Sequence, residues 1–126
     1  IEKYAQWTYC VRDDERHPEN AIERDVLLDI VTHYWMTNSG GSSARLYWES
    51  FNQTDSRPIN LPLGLSLFPK ELFVCSERLA KTRYRNLVMF NNTHANGGHF
   101  ASLEQPDALV TDIRQWLFTL RQQEIL

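Results

Sequence analysis

Ile59-Asn60-Leu61-Pro62-Leu63-Gly64-Leu65-Ser66-Leu67-Phe68-Pro69 alternates apolar with polar or small residues over nine positions and then closes on a proline. Side chains of a strand point to opposite faces in turn, so a period of two reads as a strand over 59–67. Pro62 has no N–H and limits where ladder bonds can form. Working outward, Ser76 is placed to cap a short helix over 76–84, and Leu87-Val88-Met89-Phe90 suits a buried strand. After a loop rich in Asn and Gly, Pro106 opens a long helix whose apolar stripe is Leu109, Val110, Ile113, Trp116, Leu117 and Leu120. Strand, helix, strand, loop, helix is the order of an α/β protein with a parallel sheet covered by helices.

The residues before this unit follow a different period. Those through Trp7 are amphipathic and suit the end of a helix, and the charged run within 11–21 suits a solvated loop. Ile22, Val26, Leu27, Ile30, Val31 and Tyr34 recur at helical spacing, and Asn38-Ser39-Gly40-Gly41-Ser42 breaks the pattern. A second helix carries Ala44, Tyr47, Trp48 and Phe51 as its stripe. Two helices with no strand between them look like an insertion into an α/β fold. Two strands make a poor sheet alone, so the chain reads as part of something larger, with an unpaired strand edge that would seek a partner.

Composition narrows the classes. The chain has 126 residues, a formal net charge of -3 and its charges dispersed, which argues against a nucleic-acid partner. No apolar run approaches the roughly 20 residues that span a bilayer. Cys10 and Cys75 read as two buried free thiols, with a disulfide as the competing reading. Thiols of that kind suit a cytoplasmic protein, while an upstream membrane anchor and homo-oligomerisation stay open. Asn52 and Asn91 each begin an Asn-x-Thr tripeptide, which matters only in a secreted protein.

In open α/β sheets, functional groups collect on loops leaving the carboxyl ends of strands. Glu71 lies just beyond the first strand, and His99 follows the second, behind two glycines. Acid and then histidine on successive strand exits is the order of the α/β-hydrolase triad. Taken singly, Glu71 reads as well as a surface carboxylate, and His17, His33 and His94 read as solvated side chains. A metal site built from Glu71, His94 and His99 is supported by no ligand-spacing motif.

Five segments then carry a resemblance. Gly97-Gly98-His99-Phe100-Ala101-Ser102-Leu103-Glu104-Gln105-Pro106 is similar to the segment bearing the catalytic histidine in microsomal-type and juvenile-hormone-type epoxide hydrolases. Phe68-Pro69-Lys70-Glu71 resembles that family's Phe-Pro-x-Glu segment, and Ser42-Ser43-Ala44-Arg45-Leu46-Tyr47 its Ser-Ser-x-Arg-x-Tyr lid segment. Ile1-Glu2-Lys3-Tyr4 with Trp7-Thr8, and Tyr34-Trp35 with Thr37, resemble two further lid motifs. The resemblance implies the C-terminal part of an α/β-hydrolase fold, with the end of a helical lid over 1–56 and the last strands and helices of the core over 57–126. It implies His99 as general base, Glu71 as the acid orienting it, and Tyr47 as proton donor to the epoxide oxygen. The substrate would be a small-molecule epoxide, and no cofactor or metal is implied.

Two departures stand out. The stretch between Glu71 and His99 runs about a residue longer than the family pattern, within Asn91–Asn96, which a surface loop would absorb. The family's nucleophilic aspartate sits in a Gly-Gly-Asp-Trp elbow, and no such segment occurs here. The resemblance therefore implies a partner, the N-terminal half of the hydrolase, and inactivity of these 126 residues alone. An esterase or dehalogenase of the same fold, or a non-catalytic truncated relative, are the competing readings.

Overall fold

The computed structural model describes residues 1–10, 17–50 and 55–124. Phe51, Asn52 and part of the expected loop at 11–21 lie outside the described residues. Strands β1 (Leu63–Ser66) and β2 (Leu87–Asn91) pair in parallel, and helix α5 (Glu77–Arg83) crosses between them. After the short helix α6 (Ala101–Glu104), helix α7 (Pro106–Gln122) packs on both strands. The α/β class and its parallel sheet follow the expectation from period and order.

The first strand is shorter than its alternation. Ile59 forms an isolated bridge with Tyr84, and the continuous ladder begins only at Leu63, one residue after Pro62. The register slips between Leu63 and Gly64, where the ladder resumes against Met89. Gly64 is required there, because a Cβ would lie 2.8 Å from Trp116 Cγ; its absence lets α7 close on the sheet. Ser76 caps α5 as expected, its hydroxyl accepting from Leu79 N at 3.3 Å.

The leading helices are α1 (Glu2–Trp7), α2 (Arg24–Met36), α3 (Gly40–Ser43) and α4 (Arg45–Ser50). The break after α2 is narrower than the sequence suggests. Asn38 takes a positive φ of 50°, and Gly40-Gly41-Ser42-Ser43 already forms another helical turn. The expected stripes are only partly inside. Leu27 is buried, but Val31, Tyr34, Tyr47 and Trp48 are exposed, as are Val110 and Ile113 on α7. The reason is geometric, since a stripe is buried only where another element meets it. Cys10 is buried and Cys75 half-exposed, both unbridged, so the reading of two buried thiols holds only for Cys10.

Candidate active site

Glu71 and His99 come together where the two strand exits meet. Lys70 N donates to Gly97 O at 3.1 Å, Lys70 and Gly98 form a parallel bridge, and Glu71 N donates to Phe68 O at 3.1 Å. His99 Nδ1 then lies 2.6 Å from Glu71 Oε1, which also accepts from Leu72 N at 2.7 Å. An ionised carboxylate can only accept, so Nδ1 carries the proton and Nε2 is left with its lone pair. The glycines are dictated by this closeness. Gly97 has φ +102°, and a Cβ on Gly98 would stand 2.5 Å from Trp7 O. That carbonyl is itself engaged, accepting from His99 N at 2.9 Å. The end of α1 therefore holds the histidine backbone in place.

His99 lines a cleft of about 730 Å³ together with Trp7, Phe100, Tyr4, Tyr34 and Tyr47. Tyr47 thus shares a cavity with His99, not a core. Its ring lies 3.6 Å beneath the Lys3 ammonium, which also faces Trp7 at 5.5 Å, so a cation on α1 fastens α4 to the cleft. Trp7 meets the His99 ring edge-on at 5.3 Å, and Tyr4 packs on Phe100 at 4.4 Å. Burial, and then the neighbouring Tyr34 and Tyr47 phenols, push the Tyr4 hydroxyl above its ordinary range, so it stays a neutral donor beside the cleft. The cleft is aromatic, carries phenol donors and holds one oriented imidazole. It suits a small apolar molecule with an oxygen that develops negative charge.

His94 overturns the reading of a solvated side chain. Its ring stacks on Phe68 at 4.0 Å and 5°, and its Nε2 is 2.8 Å from Asp112 Oδ2. Only 11 % of the His94 side chain is exposed, and the same fraction of Asp112. Within this loop Asn92, Thr93, Ala95 and Asn96 are exposed and His94 turns inward. Ser66 Oγ donates to Asp112 Oδ2, and Asn91 Nδ2 donates to Oδ1 at 2.9 Å. Burial pushes the Asp112 carboxyl up, but the bonds from Ser66, Asn91 and His94 outweigh it and hold the group below its ordinary value. Asn91 is likewise committed to this network, with its Oδ1 accepting from Thr93 N at 3.0 Å. Glu104 is a second residue whose role the sequence did not disclose. Its carboxylate accepts from Tyr9 N at 2.6 Å and Phe100 N at 3.0 Å, joining the chain after α1 to the histidine loop. Among the described residues, no cluster of three or more His, Cys, Asp and Glu side chains is arranged to hold a metal ion, and no helix is long and apolar enough to cross a membrane.

A histidine and a carboxylate meet at adjacent exits of a parallel sheet, the relative placing of histidine and acid in an α/β-hydrolase triad. No family profile matches the chain. It is 39 % identical over 121 residues to a putative epoxide hydrolase of Stigmatella aurantiaca, a match covering 95 % of this chain. It is 34 % identical over 131 residues to epoxide hydrolase 1 of Sus scrofa, covering 98 %, and 31 % identical over 121 residues to juvenile hormone epoxide hydrolase 1 of Ctenocephalides felis, covering 90 %. The chain belongs to the epoxide hydrolase family that includes these microsomal-type and juvenile-hormone-type proteins. It spans 26 % of the length of the bacterial relative and 29 % of the pig one.

Proposed function

We propose that this chain is the C-terminal portion of an epoxide hydrolase, with residues 1–56 in the lid and 57–126 in the α/β-hydrolase core. The observation that carries the reading is the Glu71–His99 pair, 2.6 Å apart, whose histidine lines the cleft that Tyr47 also lines. The names of the relatives support it. The nucleophile is an aspartate carried outside these 126 residues. Its carboxylate attacks an epoxide carbon, the C–O bond breaks, and the oxygen takes the electron pair. Tyr47 donates to that oxygen inside a cleft where a fixed donor counts for more than in water. His99 Nε2 then removes a proton from a water attacking the ester, while Glu71 stabilises the imidazolium through Nδ1–H. A vicinal diol leaves. These steps need no metal and no organic cofactor.

The oxygen balance gives the test. With the full-length protein and styrene oxide in oxygen-18 water, the first turnover should yield unlabelled diol, because its new oxygen comes from the carboxylate. Label in the diol of the first turnover would mean direct attack by water and would overturn the ester route.

Tyr47 separates this reading from an ester hydrolase, which uses backbone amides for its oxyanion. Tyr47→Phe removes one hydroxyl aimed at developing charge, and single-turnover ring opening should slow by on the order of ten- to a thousand-fold. An unchanged rate would return Tyr47 to a packing role.

A further inference from the structure

The Ser66–His94–Asp112 cluster contains the residue types of a nucleophilic triad, but its wiring is wrong for one. His94 Nε2 lies 3.0 Å from Ser66 Oγ and 2.8 Å from Asp112 Oδ2, and Ser66 Oγ itself donates to that same oxygen, so acid and hydroxyl share one ring nitrogen where a triad engages opposite ones. The cluster instead joins three elements: β1 through Ser66, the loop before His99 through His94, and α7 through Asp112. What lies on the other face of His94 decides its use. The His94 ring stacks flat on Phe68, which is only 3 % exposed. Phe68 in turn touches both arms of the site. Its carbonyl accepts from Glu71 N at 3.1 Å, and its ring stands where a Cβ on Gly97 would come within 2.6 Å.

We infer that His94, anchored by Asp112, is a positioning residue that holds the Phe68 ring and through it the Glu71–His99 geometry. This rests on the proposed chemistry of His99 and extends it to a part of the chain that touches no substrate. The physical need is clear from the loop itself. Asn92, Asn96, Gly97 and Gly98 are permissive residues between β2 and His99. Ordering each of them costs backbone entropy. A ring clamped between Phe68 and a carboxylate supplies a fixed point in the middle of that loop. A displacement of about 1 Å at a proton-transferring group can cost on the order of a hundredfold in rate.

The test exploits the separation of steps, since the base acts only after the ester has formed. In the full-length enzyme with styrene oxide, ester formation and ester hydrolysis are timed separately by rapid quench and mass spectrometry of the protein. His94→Ala should slow ester hydrolysis about ten- to a hundredfold and change ester formation by less than about twofold. His94→Phe keeps a ring on Phe68 but gives up the Nε2 contacts with Ser66, Asn91 and Asp112, so it should recover only part of that loss and still slow ester hydrolysis by about three- to tenfold; it also carries the test if His94→Ala does not fold. If both steps fall by the same factor in His94→Phe, or neither moves, His94 has no positioning role. His99→Gln runs alongside as the reference. If that variant accumulates no ester, the proposed chemistry fails and takes the inference with it, whereas accumulation there without a changed ratio at His94 removes only the inference.

Discussion

His99→Gln in the full-length enzyme is expected to leave ring opening intact and to halt the protein as its ester. Glutamine keeps much of the volume and a hydrogen-bonding end, but it has no lone-pair nitrogen able to take a proton from water near neutral pH. The ring it replaces is held by Glu71 Oε1 at 2.6 Å and by the bond from His99 N to Trp7 O at 2.9 Å. The backbone bond survives the substitution, so the loop keeps its course. Loss of a triad histidine costs on the order of a millionfold where it serves every step. Here it serves one, and steady-state turnover should fall by at least about a thousandfold. Mass spectrometry of the intact protein after mixing with an epoxide should find one molecule of substrate bound covalently. Normal turnover, or the absence of any adduct, would remove His99 from the second step.

Glu71→Gln is expected to lower turnover by on the order of a hundred- to ten-thousandfold. The amide can present either its oxygen or its NH2 to Nδ1. In the first orientation it still accepts the ring proton but adds no charge to stabilise the imidazolium. In the second it favours the wrong tautomer and turns the lone pair away from the cleft. Leu72 N, which donates to Oε1 at 2.7 Å, favours the first orientation, which places the loss toward the lower end of that range. Glu71→Asp retains the charge on a shorter arm and should lose less than Glu71→Gln. The measurement is the rate of ester hydrolysis in both variants. Equal losses would mean that the charge is irrelevant, and unchanged rates in both variants would return Glu71 to a surface carboxylate.

Much of this was legible from particular residues. The alternation from Ile59 to Leu67 and the apolar run from Leu87 to Phe90 locate both strands of the described sheet. Pro106 and Ser76 mark helix starts that the backbone follows. Glu71 and His99 could be paired because strand exits converge, and their separation of 28 positions along the chain closes to 2.6 Å in space. His94 and Asp112 were not legible. Nothing local distinguishes a histidine in an Asn-rich loop from a solvated one, because its burial depends on Phe68 and α7, which arrive from other parts of the chain. The same holds for Glu104, whose two backbone donors lie on either side of a long gap in sequence.

By itself, the sequence determined the periodicities, the turn and cap positions and the residue types at the strand exits, since each depends on neighbours along the chain. Only the tertiary structure decided which apolar stripes are covered, that Tyr47 faces a cleft with His99, and that His94 turns inward onto Phe68. Those outcomes depend on the packing of elements distant in sequence. Burial and hydrogen bonding between such elements exist only once the chain has closed on itself.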